Sequence, residues 1–78
     1  MNFNIQLDEN YDNTKPIQIH WAFSIPSFDF QINDYQLNDN NLIFDIDTSE
    51  LPIGFYIIVR ISQDDFEKVL YREYHLIN

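Results

Sequence analysis

Ile17-Gln18-Ile19-His20-Trp21-Ala22-Phe23-Ser24-Ile25 sets a large apolar side chain at every second position. This is the repeat of a strand with one buried face, because successive side chains in extended backbone point to opposite sides. Upstream, Phe3, Ile5 and Leu7 show the same alternation, and downstream Phe28, Phe30 and Ile32, then Leu42, Phe44 and Ile46, show it again. Pro26-Ser27 interrupts the first run, which predicts a second strand or a continuation across a bend, with the chain changing sheets at Pro26. Residues 55–61 are apolar at nearly every position, as in a central strand covered on both sides or one whose register a bulge has shifted. Residues 69–77 place Leu70, Tyr74 and Leu76 on one parity and Val69, Tyr71 and Ile77 on the other. Their β-branched and aromatic content, after the turn-like Gln63-Asp64-Asp65, predicts a strand closing a hairpin with 55–61. The Asn- and Asp-rich stretches 8–13 and 38–41 read as loops, since these side chains bond to nearby backbone. An all-β antiparallel sandwich of six or seven short strands buries one face of each, in one domain covering residues 1–78.

Composition narrows what such a domain does. Without cysteine the chain has no disulfide and no thiolate, so stability must come from packing. Aromatic residues make up 17% of the chain, and each large apolar side chain buried contributes roughly 1.5–3 kcal/mol. Against an ordering cost of roughly 1.5 kcal/mol per residue, the balance for so small a scaffold is close to zero, so a permanent neighbour would help. Thirteen acidic and four basic residues give a formal charge of −9, which disfavours nucleic acid as a partner, because phosphate contacts need clustered Lys and Arg. The start, Met1-Asn2-Phe3-Asn4, has no basic segment leading into an apolar run and so does not read as a secretory signal. No apolar run approaches the ~20 residues of a membrane-crossing helix, and no membrane partner is expected.

The segment Leu51-Pro52-Ile53-Gly54-Phe55-Tyr56, preceded by Asp45-Ile46-Asp47 and followed by an apolar strand and its hairpin partner, resembles the late strands of immunoglobulin-like domains. The resemblance implies an immunoglobulin-like β-sandwich with a tyrosine corner: Leu51 and Gly54 form a tight approach to the strand, and Tyr56 packs inward with its hydroxyl returning to backbone. Residues 51–77 also look like the end of the C-terminal sorting domains of secreted Bacteroidetes proteins. Departing from that pattern, the chain has no Pro-Asn-Pro opening and ends Tyr74-His75-Leu76-Ile77-Asn78 instead of in lysines. An immunoglobulin-like unit with its own Met1 is similar to the small decoration modules of tailed-phage particles.

A search for chemistry is negative. His20 and His75 lie in different predicted strands, and no Cys or His-x-x-x-His spacing accompanies them, so no zinc site is expected. The run from Asp45 to Glu50 offers oxygen ligands but lacks the Gly and the spacing of a calcium loop, and Asp45 and Asp47 read as the wet face of a strand. The four serines, Ser24, Ser27, Ser49 and Ser62, lie outside any nucleophile elbow, and a single Gly leaves no phosphate-cradling loop. No catalytic residue, cofactor or metal is expected, and the chain does not read as an enzyme.

Surplus apolar side chains carry more information. Ile43, Tyr71 and Ile58 fall on parities opposite the main core stripes, and Trp21 is large for a thin sandwich; either bulges bring them inside or they form a contact face. Two functions from different classes follow. In the first, the domain is a non-catalytic structural or adhesive module that docks into a larger assembly or onto copies of itself, most specifically an auxiliary protein of a phage capsid, located on the virion or assembly surface. In the second, it is a cytoplasmic inhibitor whose acidic face, built from Asp45, Asp47, Asp64, Asp65 and Glu67, mimics nucleic acid in a basic groove.

Overall fold

A computed structural model describes residues 1–23 and 30–78. Seven strands form: β1 (Asn2–Gln6), β2 (Gln18–Phe23), β3 (Phe30–Ile32), β4 (Gln36–Asn38), β5 (Asn41–Asp45), β6 (Tyr56–Gln63) and β7 (Lys68–Leu76). They make two sheets, one of three strands in the order β1-β5-β4 and one of four in the order β3-β2-β6-β7. Every pairing is antiparallel. Two antiparallel sheets that share one core make a small β-sandwich.

The alternation in the sequence is what the two sheets bury. Phe3, Ile5, Leu7, Leu42, Phe44 and Ile46 come from the three-stranded side, and Ile17, Ile19, Ile57, Val59, Ile61 and Ile77 from the other; together they form one core. Phe3 stacks on Phe44 at a ring separation of 4.9 Å, a cross-strand pair at their shared register position. Ile46 lies just beyond β5, held by reciprocal bonds: its amide donates to the Met1 carbonyl at 2.9 Å, and the Met1 ammonium donates to its carbonyl at 2.8 Å.

Residues 55–61 combine both expected features. β6 lies between β2 and β7, and the register slips between Ile61 and Ser62. Ile57, Val59 and Ile61 enter the core, while Ile58 faces the other way and is nonetheless buried. Its register neighbours Ala22 and Tyr74 flank it, so a central strand covers even its outward apolar residue.

The expected change of sheet at Pro26 does not occur. β3 pairs with β2 in one sheet, with Ile19 opposite Ile32 and Trp21 opposite Phe30; this register keeps the apolar sides of both strands on one face. Trp21 is half-buried and stacks on Phe30 at 4.5 Å. Pro26 itself, with the expected strand positions Ile25 and Phe28 and with Ser24 and Ser27, lies outside the described residues. The chain crosses to the other sheet after β3 instead. β4, with Leu37 as its one apolar residue, has too short a pattern to read from sequence.

The loop joining β6 to β7 is strained. Asp64, Asp65 and Phe66 lie at φ of 56°, 53° and 74°, in the left-handed region that costs an L-residue roughly 1–2 kcal/mol. Phe66 is held there because its ring stacks on His20 at 4.4 Å and its carbonyl accepts from the Arg60 guanidinium at 2.7 Å. Asp65 is exposed. Asp65→Gly is therefore expected to stabilise the domain by about 0.5 kcal/mol, after allowance for the extra freedom of glycine in the unfolded chain. Thermal unfolding checks this, and a fall in Tm would refute it.

Candidate interaction surface

Cross-strand register partners share a face, so the pairings of β2, β3, β6 and β7 define the outer side of the four-stranded sheet row by row. Tyr56 and Leu76 form the first row, and Ala22, Ile58 and Tyr74 the second. Gln31, His20, Arg60 and Arg72 form the third. The first two rows are apolar; Ala22 and Ile58 are buried within them, whereas Tyr56 is 50% exposed, Tyr74 59% and Leu76 41%. Gly54, Phe55, Tyr56, Ile58 and Tyr74 line a shallow groove of about 370 Å³ at this end, and Ile53, 76% exposed, projects from the adjoining turn. Contiguous exposed aromatic area of this kind marks contact sites. Among the described residues, no carboxylate stands on the strand positions of this face.

Tyr56 therefore does not form the expected inward corner. With Ile57 committed to the core, strand alternation turns Tyr56 outward. The rest of the corner is a backbone device. Gly54 sits at φ 92°, its amide donates to the Ile77 carbonyl at 2.8 Å, and the Ile77 amide donates to the Phe55 carbonyl at 2.8 Å. Leu51 packs half-buried against the core beside it. This knot pins the end of β7 and fixes which of its side chains face out.

Tyr71 is a second correction. Its register partner is Ile61, which places it on the core side, half-buried. Its hydroxyl lies 3.0 Å from Nε2 of His75 and donates to Glu73 at 3.5 Å. Burial first, and then the Glu73 carboxylate, push its pKa above the ordinary phenol value. His75 in turn sets its ring edge-on to Phe3 at 4.8 Å, whereas His20 stands on the outer face, so the two histidines occupy opposite sides of the sheet. Ile43 does face away from the core, half-buried, but its register neighbours are Asn4 and Gln36, so it has polar surroundings.

The acidic residues separate into two groups. Asp45 accepts from the Asn2 side-chain amide at 3.0 Å, and Asp47 accepts from the Ser49 backbone at 3.0 Å, bonds to Ser49 that hold Asp47 below the ordinary carboxyl value. Asp45 follows Phe44, the register partner of Phe3, and Phe3 in turn meets His75 opposite Ile57 near the start of β6; Asp47 is two residues further on. Asp64, Asp65 and Glu67 follow the far end of β6, whose 8 residues span roughly 25 Å at about 3.3 Å per residue. Asp64 forms an ion pair with Lys15 at 3.0 Å, which also raises the lysine pKa. Beside this loop Gln63, fully buried, accepts from the Asp12 amide at 3.1 Å and donates to the carbonyls of Asp12 at 2.7 Å and Lys15 at 3.2 Å.

The chain matches no known protein family model, no curated protein and no solved structure. The sequence reading missed the face formed by Tyr56, Arg72, Tyr74 and Leu76. The period-two parity of Arg72, Tyr74 and Leu76 was the available signal, but it does not say which parity turns outward when both carry apolar residues.

Proposed function

We propose that this chain is a non-catalytic docking module that attaches to the surface of a larger protein assembly through the outer face of its four-stranded sheet. In its most specific form it is an auxiliary immunoglobulin-like protein on the outside of a phage capsid or virion. The observation that carries this reading is the exposed apolar block of Tyr56, Tyr74 and Leu76, continued by Ile53 and Phe55. Aromatic anchors of this kind dominate binding energies at protein contacts, and a domain this small gains from a permanent neighbour. The nucleic-acid-mimic reading is the weaker one, because Asp45 and Asp47 stand at one end of the sandwich and Asp64, Asp65 and Glu67 at the other.

Sucrose-gradient sedimentation of the tagged chain from its own source cells tests this. The wild type should travel with large particles and stay with them at about 1 M salt, where the Debye length is only about 3 Å. The double substitution Tyr74→Ser with Leu76→Ser should return it to the top of the gradient with its fold intact, since each anchor is worth about 2 kcal/mol or more. A wild type that remains a free monomer in both salts rules the reading out.

A further inference from the structure

We propose that the protein partner contributes an extended segment that adds to the four-stranded sheet as a fifth strand beside β7, placing the carboxylate of one acidic residue against Arg72. This rests on the docking reading and names what is docked.

β7 is the long edge of the sheet. It spans nine residues against three for β3 at the opposite edge, and among the described residues only β6 pairs with it. The far side of such a strand presents a row of backbone N–H and C=O groups, a template on which another extended chain can pair. A strand laid there sets alternate side chains beside Arg72, Tyr74 and Leu76, next to the groove lined by Tyr56, Ile58 and Tyr74. Arg72 is exposed and has no ion pair with any described residue, on a face without described carboxylates, in a chain of formal charge −9. The partner matched to this edge carries an acidic residue opposite Arg72 and an aromatic or aliphatic residue two positions along, opposite Tyr74.

A second copy of this chain does not meet that requirement. Antiparallel pairing about a two-fold axis keeps each face on its own side, so the register of full overlap opposes Arg72 to Arg72 of the copy. Sliding to a register centred on Glu73 opposes two carboxylates. Both are repulsive, and charged residues on an edge are a common guard against self-pairing.

A displayed library of random twelve-residue peptides, selected on the intact wild-type chain, tests the proposal. The enriched sequences should share an acidic residue with an aromatic or aliphatic one two positions away. A synthetic copy of the best should bind about tenfold more weakly to Arg72→Glu, more weakly also to Arg72→Gln, and recover on Arg72→Glu when its acid is exchanged for lysine. N-methylation of the backbone nitrogens facing β7 should abolish binding. In hydrogen exchange the peptide should protect amides of residues 68–76. Absence of an enriched family, binding indifferent to Arg72 and N-methylation, or protection elsewhere overturns the proposal, as does wild-type dimerisation through β7. The gradient assay keeps the two readings apart. If Arg72→Glu still travels with particles as the wild type does, strand addition fails and docking stands. If the wild type stays free while the peptide binds in the Arg72-dependent way, docking onto an assembly fails and strand addition stands.

Discussion

Ile61→Ala is expected to lower the unfolding free energy by about 2–5 kcal/mol, the range for truncating a buried aliphatic side chain. Ile61 is fully buried in the middle of the central strand β6, with Ile19 of β2 on one side and Tyr71 of β7 on the other. Removing its outer carbons takes contacts from both neighbours at once, and strands tied on both edges have little room to close the gap. A chain of this size has only about 3–5 kcal/mol to lose, so the variant should be largely unfolded at physiological temperature. Urea unfolding followed by Trp21 fluorescence reads this, and Ile61→Val, expected to lose about 0.5–1.5 kcal/mol, gives the intermediate point. An unchanged midpoint for Ile61→Ala would show that the site is not the tight centre of the core.

Gln63→Leu, nearly isosteric, is expected to lose about 2–4 kcal/mol although it makes the residue more hydrophobic. The buried amide of Gln63 satisfies one N–H and two carbonyls of the loop between β1 and β2, at Asp12 and Lys15. Leucine leaves all three backbone groups without this partner, and each group left unsatisfied in a buried position costs about 1–3 kcal/mol, less where water can reach it. The Tm should fall by roughly 8–32 °C, at about 4–8 °C per kcal/mol for a domain of this length. Hydrogen exchange localises the effect: protection of the Asp12 amide should vanish first, while the β6–β7 ladder keeps its own. A variant as stable as the wild type would mean that the loop is held by something else. The same clamp brings Lys15 to Asp64, so that ion pair should loosen with it.

The two substitutions mark different limits of what could be read from residues alone. Ile61 belongs to an apolar run whose burial is written in its neighbours. Nothing adjacent to Gln63 announces that it is buried, because its partners lie 48 and 51 positions away. β4 escaped for a related reason: three residues with Leu37 alone make no period, and its strand character comes from pairing with β5. Tyr71, open between a contact face and the core, lies inward, while Tyr56, expected inward, lies outward. In both cases neighbouring positions are also apolar, so alternation defines two faces without naming the covered one.

The sequence by itself determined the strand class, the core stripes of Phe3, Ile5 and Leu7, of Ile17 and Ile19, and of Leu42, Phe44 and Ile46, and the hairpin between β6 and β7. These are local properties, set by period-two spacing and turn chemistry within a few residues. Only the tertiary structure decided the order of strands in the two sheets, the outward turn of Tyr56, Arg72, Tyr74 and Leu76, and the separation of the acidic residues to opposite ends. Those depend on which strand pairs with which and in what register, and register is settled by contacts between residues far apart in the chain, where a shift of one position exchanges the buried face for the exposed one.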